Sequence, residues 1–579
     1  MTTPNPFYSR LTRLEPGRVL LHSALAGLLV GLGGVLFTKA LEFTTSIFAN
    51  LGAVSPELPS RGGVLFAFEG PLKLAPLVLF PLLFLVLALT RQLNPRRGAL
   101  EGFIEGHHAE VLPLERTRGS LGRLLGGTLT LGAGVPLGRD GPLAGLGSWL
   151  GGVSARVGRL EPGEARLVRL AGVAAGLGLA LHAPLAAAVF AVEVLYRRFE
   201  FELEALLPAV LSSIFAYGVY GTFLGFGGLF ALELPVALPL LALPLCLLLG
   251  VLCAALGSLF SSALEGIRKG WTALESRSKG TRLQVWAAPL VGLLLAGLII
   301  VVPQTQGEGL GWLQLGAGGL LGPTELWGLG LFRLLALLLL AGIGIPGGVL
   351  LPTLVLGGTL GAVLGSLQNL WLPDLGLGMG AWTVLGACTL LSALCKTPLS
   401  SVLLGLAWGG ESLLPGLLLS CTSAYALSSE AGLFSAQVDG RANSGAHLER
   451  PLLKSAQDVA PEVSEPPDSG QPNSSELPEA LPANELLYRV AAPVHLLGQA
   501  PLDALFAPYA TLVALSRESG VWLPGPELRL EPEDVLVLVA TPEGYAALSE
   551  RLSPPISPEA PPSSSAHKDP AQAVSTTEN

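Results

Sequence analysis

Residues 132–151 read GAGVPLGRDGPLAGLGSWLG, and residues 342–361 read GIGIPGGVLLPTLVLGGTLG. At a constant offset of 210, Gly132, Gly134, Pro136, Gly138, Pro142, Gly147, Leu150 and Gly151 face Gly342, Gly344, Pro346, Gly348, Pro352, Gly357, Leu360 and Gly361. A glycine-rich chain matches glycines by chance, but hardly two prolines in register. A second pair follows at a similar separation, HAPLAAAVF (182–190) and KTPLSSVLL (396–404). The chain therefore holds two homologous halves, one within residues 18–228 and one within 234–428. Identity alone leaves open whether they are parallel or inverted; inverted repeats meeting at the midplane are common in transporters.

The surroundings of the repeats say where they sit. Only 13% of the 579 residues are charged and 50% are hydrophobic, against roughly 25% charged in soluble proteins. Uncharged runs cover 19–38, 205–232, 234–264, 283–307 and 334–373, and about 20 apolar residues suffice to span a bilayer. An ordinary soluble enzyme is excluded; this is a polytopic helical membrane protein. Its 74 glycines and its in-span prolines imply short, tilted or broken helices, the usual mark of a transport path. Arg10, Arg13 and Arg18 precede the first span and place the N-terminus in the cytoplasm.

Residues 1–440 form the membrane domain on this reading, 441–484 a Pro/Ser/Glu-rich linker, 485–552 a small α+β cytoplasmic domain, and 553–579 a disordered tail. In the small domain strands are expected at Thr511–Arg517 and Val535–Ala540, with a helix over 542–552. The chain's acidity lies here: residues 451–579 carry 6 basic and 18 acidic side chains, whereas the whole protein is at −9. No basic run with interleaved aromatics suggests nucleic acid. Cys246, Cys253, Cys388, Cys395 and Cys421 sit in apolar stretches without metal spacing and read as packing residues. No cofactor or metal is implied.

Each repeat sets a Gly/Pro-broken loop before an apolar segment, so free N–H groups at a helix start face the membrane interior. Such a terminus suits an anion; the competing reading is close helix packing through glycine. Arg139 and Asp140 are the only charges between Arg123 and Arg156, and ionisable groups at membrane depth are functional by default. Either the two pair locally or at an interface, or Asp140 is a tethered anion in a site meant for a free one.

These motifs carry a resemblance. GRDGP (138–142), APL (183–185) with Glu193 downstream, and GIPGGVLLP (344–352) resemble the CLC chloride channel and H⁺/Cl⁻ exchanger family over roughly residues 18–440. The resemblance implies a homodimer with one anion path per subunit, each built from two inverted halves. Asp140 would take the place of the family's gating glutamate, one methylene shorter. Gly138, Arg139, Gly141, Val349, Leu350 and Leu351 would surround the anion. Other positions depart from the pattern. Ala99 stands at the pore serine, Phe434 at the pore tyrosine, Leu350 at a phenylalanine, and Val194 at the inner proton-transfer glutamate, with Glu193 just before it. Valine carries no proton, so Glu193 is either a substitute relay or a dimer-side or helix-packing residue. The tail run LVALSRESGVWLPGPELRLEPEDVLVLVATPEGYAAL (512–548) resembles the TrkA-C subdomain of potassium-conductance regulators and implies a dimeric module sensing an unknown small ligand.

The function expected is transport of chloride or another small anion across the cytoplasmic (inner) membrane, channel-like or loosely coupled to protons. The alternatives are a strict H⁺/Cl⁻ exchanger and a non-conducting receptor regulated through the tail. Of three further groups, His107 and His108, with Glu105 and Glu110, read as a solvated loop and His182 as a satisfied interior histidine; Arg333 is either a snorkelling helix-end residue, the reading preferred, or lies near the pore.

Overall fold

A computed structural model describes residues 15–52, 74–90, 98–109, 117–230, 238–277, 281–341, 343–448, 486–491, 511–517, 520–522 and 535–540. One unit spans Met1–Glu449 and a second Arg450–Asn579. In the first half of unit one lie α1 (Glu15–Asn50), α2 (Ala75–Leu89), α3 (Ala99–His108), α4 (Thr117–Gly132), α5 (Asp140–Val157), α6 (Pro162–Leu181), α7 (Pro184–Glu193) and α8 (Leu203–Leu224). The second half holds α9 (Leu243–Arg277), α10 (Thr281–Val301), α11 (Leu310–Ala317), α12 (Pro323–Ala341), α13 (Leu350–Trp371), α14 (Met379–Cys395), α15 (Pro398–Gly409) and α16 (Leu414–Leu427).

Among the described residues five helices, α1, α8, α9, α12 and α13, are long and apolar enough to cross a bilayer. At 1.5 Å per residue the 36 residues of α1 run about 54 Å, well beyond an apolar core of about 30 Å. Such a helix must lie obliquely or project. Others stop short: α3 and α7 have 10 residues each and α15 has 12. Large apolar side chains face outward where a soluble fold would bury them, among them Phe43 (68% exposed), Phe223 (65%) and Leu259 (67%). Hydrocarbon chains are the solvent such a surface requires.

The repeats fold alike down to their backbone angles. Gly134 and Gly344, 210 apart, both take positive φ (79° and 63°), a region in which a side chain is strained. The α6 helix ends on left-handed His182 and α14 on left-handed Lys396, and each is followed by a helix with proline in its first turn. Proline at that position lacks only an N–H that would be orphaned anyway.

Glycine also sets the two helix crossings. A Cβ on Gly147 would land on the Gly172 carbonyl, and one on Gly172 on that of Gly147, locking α5 to α6. In the second half Gly357 and Gly386 make the same reciprocal contact between α13 and α14. The packing reading of the motif thus holds for its C-terminal glycines.

Residues 441–448, expected in the linker, belong to unit one instead. The Arg441 N–H donates to Glu200 Oε2 at 2.5 Å, and Glu202 Oε2 accepts from Tyr196 Oη at 2.7 Å and lies 2.9 Å from His447 Nε2. Burial raises the Glu202 carboxyl, but hydrogen bonds from His447 and Tyr196 outweigh it and hold it down at about 2. His107 and His108 are likewise not solvated. His107 is buried at the end of α3, and His108 bonds Ser444 Oγ (2.8 Å) and Leu195 O (3.0 Å). All five cysteines are buried.

In unit two, β1 (Leu486–Ala491), β2 (Thr511–Arg517), β3 (Gly520–Trp522) and β4 (Val535–Ala540) form an antiparallel sheet in the order β1-β4-β2-β3. Both expected strands are present; β1 and β3 went unanticipated. Leu512, Leu536 and Leu538 are buried, the last two at the spacing that puts alternate residues on one face. The expected helix over 542–552, the rest of the linker and the tail at 553–579 lie outside the described residues.

Candidate anion pathway

The two repeat loops meet face to face. Gly138 N–H donates to Gly348 O and Gly348 N–H to Gly138 O, both at 2.7 Å, in an isolated antiparallel bridge. Beside the bridge, α5 begins at Asp140 and α13 at Leu350. In α13 the amides of Leu350 and Leu351 are unpaired helix-start donors, while Pro352 offers none.

Those two amides hold Asp140. Leu350 N–H donates to Oδ2 at 3.1 Å and Leu351 N–H to Oδ1 at 3.2 Å, with the carboxylate 2% exposed. Gly138, Gly141 and Gly348 make room. A Cβ on Gly138 or Gly348 would strike the Asp140 carboxylate, and one on Gly141 would lie 2.6 Å from Gly347 C and O and from Gly348 N. A carboxylate on two helix-start amides is the bonding a free anion would adopt there.

Arg139 does not pair with Asp140. Its Nε lies 3.0 Å from both oxygens of Glu308, its Nη2 2.5 Å from Oε2, and its backbone N–H donates to Oε1 at 2.8 Å. Glu308 thereby serves the start of α5 as Asp140 serves that of α13. Arg333, fully buried, corrects the snorkelling expectation: its guanidinium donates to the carbonyls of Gln304, Thr305, Gly307 and Glu308 and clamps the loop that presents Glu308. Sequence reading missed Glu308 because it lies 169 residues from Arg139, outside either repeat motif. His182, expected to be a satisfied interior residue, is only half-buried and only half satisfied: Nδ1 lies 3.1 Å from Gly227 O, while Nε2 meets no hydrogen-bond partner among the described residues.

Glu193 repeats the Asp140 arrangement at another helix. Leu399 N–H donates to Oε1 at 2.9 Å and Ser400 N–H to Oε2 at 2.8 Å, so this 1% exposed carboxylate caps α15. Val194 is fully buried, and its carbonyl accepts from Gln437 Nε2 at 2.8 Å. Glu193→Ala would orphan two buried amides at about 1–3 kcal/mol each. We expect the variant to melt well below wild type, and Glu193→Gln, which keeps one acceptor, to recover part of the loss. If Glu193 acts only as a cap, Glu193→Gln leaves the proton-to-anion ratio of liposome flux at the wild-type value; a changed ratio would make it a relay.

A cavity of about 80 Å³ opens against Asp140, walled by Ala99, Val349, Phe434, Leu137 and Ile345 among others and reached by Glu101 and Arg268. At roughly 10–15 Å³ for each water-sized occupant it admits several. Ala99 and Phe434, two positions aligned to pore residues, thus meet Asp140 at one cavity. Glu193 is not among the residues that line it.

A membrane protein of two like halves, with a carboxylate standing on helix-start amides beside a cavity, belongs to a defined class. The family described as voltage gated chloride channel matches residues 82–429, and the chain belongs to that family. The H(+)/Cl(-) exchange transporter ClcA of Cronobacter sakazakii is 30% identical over 396 residues, 67% of this chain and 81% of that one. ClcA of Salmonella paratyphi B is 29% identical over 404 residues, 67% and 80% of the respective chains. Among solved structures, a slow cyanobacterial Cl⁻/H⁺ antiporter aligns at TM-score 0.62 and 22% identity, over 76% of this chain and 99% of its own. A CLC-type fluoride/proton antiporter aligns at 0.59 and 23%, over 76% and 100%. These structures share the fold.

Proposed function

We propose that the protein moves chloride or a similar small anion across the cytoplasmic membrane, channel-like or loosely coupled to protons, as a homodimer with one path per subunit. The observation that carries this is the Asp140 carboxylate on the Leu350 and Leu351 amides. An oxyanion held by N–H groups at the start of α13 marks where the fold stabilises negative charge. When Asp140 leaves, by displacement or protonation, the same donors face the cavity and receive the transported anion. Gly138, Gly141 and Gly348 keep the approach open, Arg139 is neutralised by Glu308, and Val349 lines the cavity where α13 begins. Ala99 and Phe434 line it without offering a side-chain donor, so backbone amides do most of the work and hold the anion loosely.

Loose coupling follows from Val194, which cannot take a proton from the cytoplasm. The exchanger names of the ClcA relatives favour a second reading, strict H⁺/Cl⁻ exchange, in which another carboxylate replaces it. In either case unit two lies in the cytoplasm and adjusts the rate by binding a small ligand in one of two states. The test is chloride efflux from proteoliposomes with voltage clamped by a K⁺ ionophore. Flux well above empty vesicles, with few protons moved per anion, is expected. No anion flux from folded protein would defeat the transport reading; proton uptake in fixed ratio to chloride, driven uphill, would establish the exchanger.

A further inference from the structure

Asp140 is not the only carboxylate on the wall of its cavity. Glu101, in the first turn of α3, also lines it, as does Arg268 from the charged end of α9. Glu101 is 4% exposed and held from two directions. Arg268 Nη1 donates to Oε1 at 3.2 Å and Nη2 to Oε2 at 3.1 Å. From the segment after Phe434, the Ser435 N–H donates to Oε1 at 3.0 Å, and the Ser435 hydroxyl makes a short bond to the same oxygen. Arg268 Nε is buried and, among the described residues, donates to nothing.

We propose that Glu101 is a second tethered anion, whose carboxylate fills an anion subsite made by the Arg268 guanidinium and the Ser435 N–H and Oγ–H, and that a permeating monovalent anion must displace it there. This rests on the transport reading above. A plain ion-pair staple between α3 and α9 could sit anywhere in the fold; this one stands on the wall of the anion cavity, among apolar side chains. Conduction needs sites favourable enough to enter, and an anion reaches this guanidinium only by outcompeting the carboxylate already on it. Glu101 supplies the competition. Four donors already converge on it, and a fifth, Arg268 Nε, is spare.

The experiment uses the full chain with Asp140→Ala as background, so that the first plug is gone, and compares it with Asp140→Ala/Glu101→Gln. A glutamine keeps the shape of Glu101 but turns its amide hydrogens against Arg268. Chloride titrated calorimetrically in detergent should bind with one more site per subunit in the double variant, and liposome chloride flux should rise about tenfold, the factor set by about 1.4 kcal/mol. Adding Arg268→Gln should abolish both gains while removing the charge pair together, so that no lone charge is left buried. Unchanged stoichiometry and flux in protein of wild-type gel-filtration profile would overturn the proposal and leave Glu101 a staple. Gains that survive Arg268→Gln would overturn the subsite. Absence of flux from wild type and Asp140→Ala alike would instead defeat the transport reading on which it rests.

Discussion

Asp140→Ala should move chloride at least as fast as the wild type, at a rate that no longer follows external pH. The side chain that fills the α13 helix start is then gone, and only a proton or a rival anion could remove it before. A gate opened by one protonation changes its open fraction by up to about tenfold per pH unit, so a wild-type profile across several units should flatten. A second readout is independent of transport. Truncation leaves the Leu350 and Leu351 amides without an acceptor, at about 1–3 kcal/mol each, unless an ion from solution takes the place. The variant's melting temperature should therefore climb with chloride concentration, while wild type, its site already filled, responds weakly. Unchanged pH dependence would make Asp140 a structural partner of α13 and nothing more.

The other large effect is architectural. Gly147→Val should not be recovered as folded protein. Its Cβ would meet the carbonyl of Gly172, which cannot swing aside as a flexible side chain could, and Gly172 returns the contact. Parting two helices buried along their contact costs more than the 1–3 kcal/mol typical of overpacking; about 4 kcal/mol or more is expected. Gly163→Ala is the control, since a Cβ there meets nothing within 4 Å. Fluorescence-detected gel filtration separates the outcomes: a monodisperse Gly147→Val peak with normal flux would show that the α5–α6 crossing is not as close as its carbonyl contact requires.

The legible part of the site was what the duplication wrote twice. Gly138 and Gly348 match at the 210-residue offset, and the structure pairs them in the bridge beside which Asp140 meets the Leu350 and Leu351 amides. Missed were partners supplied by unduplicated segments. Glu308, Arg268 and Ser435 sit 169, 167 and 334 residues from the groups they bind, and a lone charge near a helix end carries no periodicity to reveal its destination. Arg333 shows the same limit: a snorkelling helix end and a place near the pore look identical in sequence, and only the carbonyls of residues 304–308 show that it clamps a loop instead of snorkelling. Glu193 was placed in a packing role or a relay, while its actual acceptance of two α15 amides depends on how the halves dock.

The bridge between Gly138 and Gly348 also bears on synthesis. The ribosome delivers Asp140 some 210 residues before the amides that receive it, so during elongation the first half must carry an acidic side chain without its acceptor site. The Gly138–Gly348 bonds can close only when both loops are present, so neither half alone supplies the acceptor and the donors that meet there.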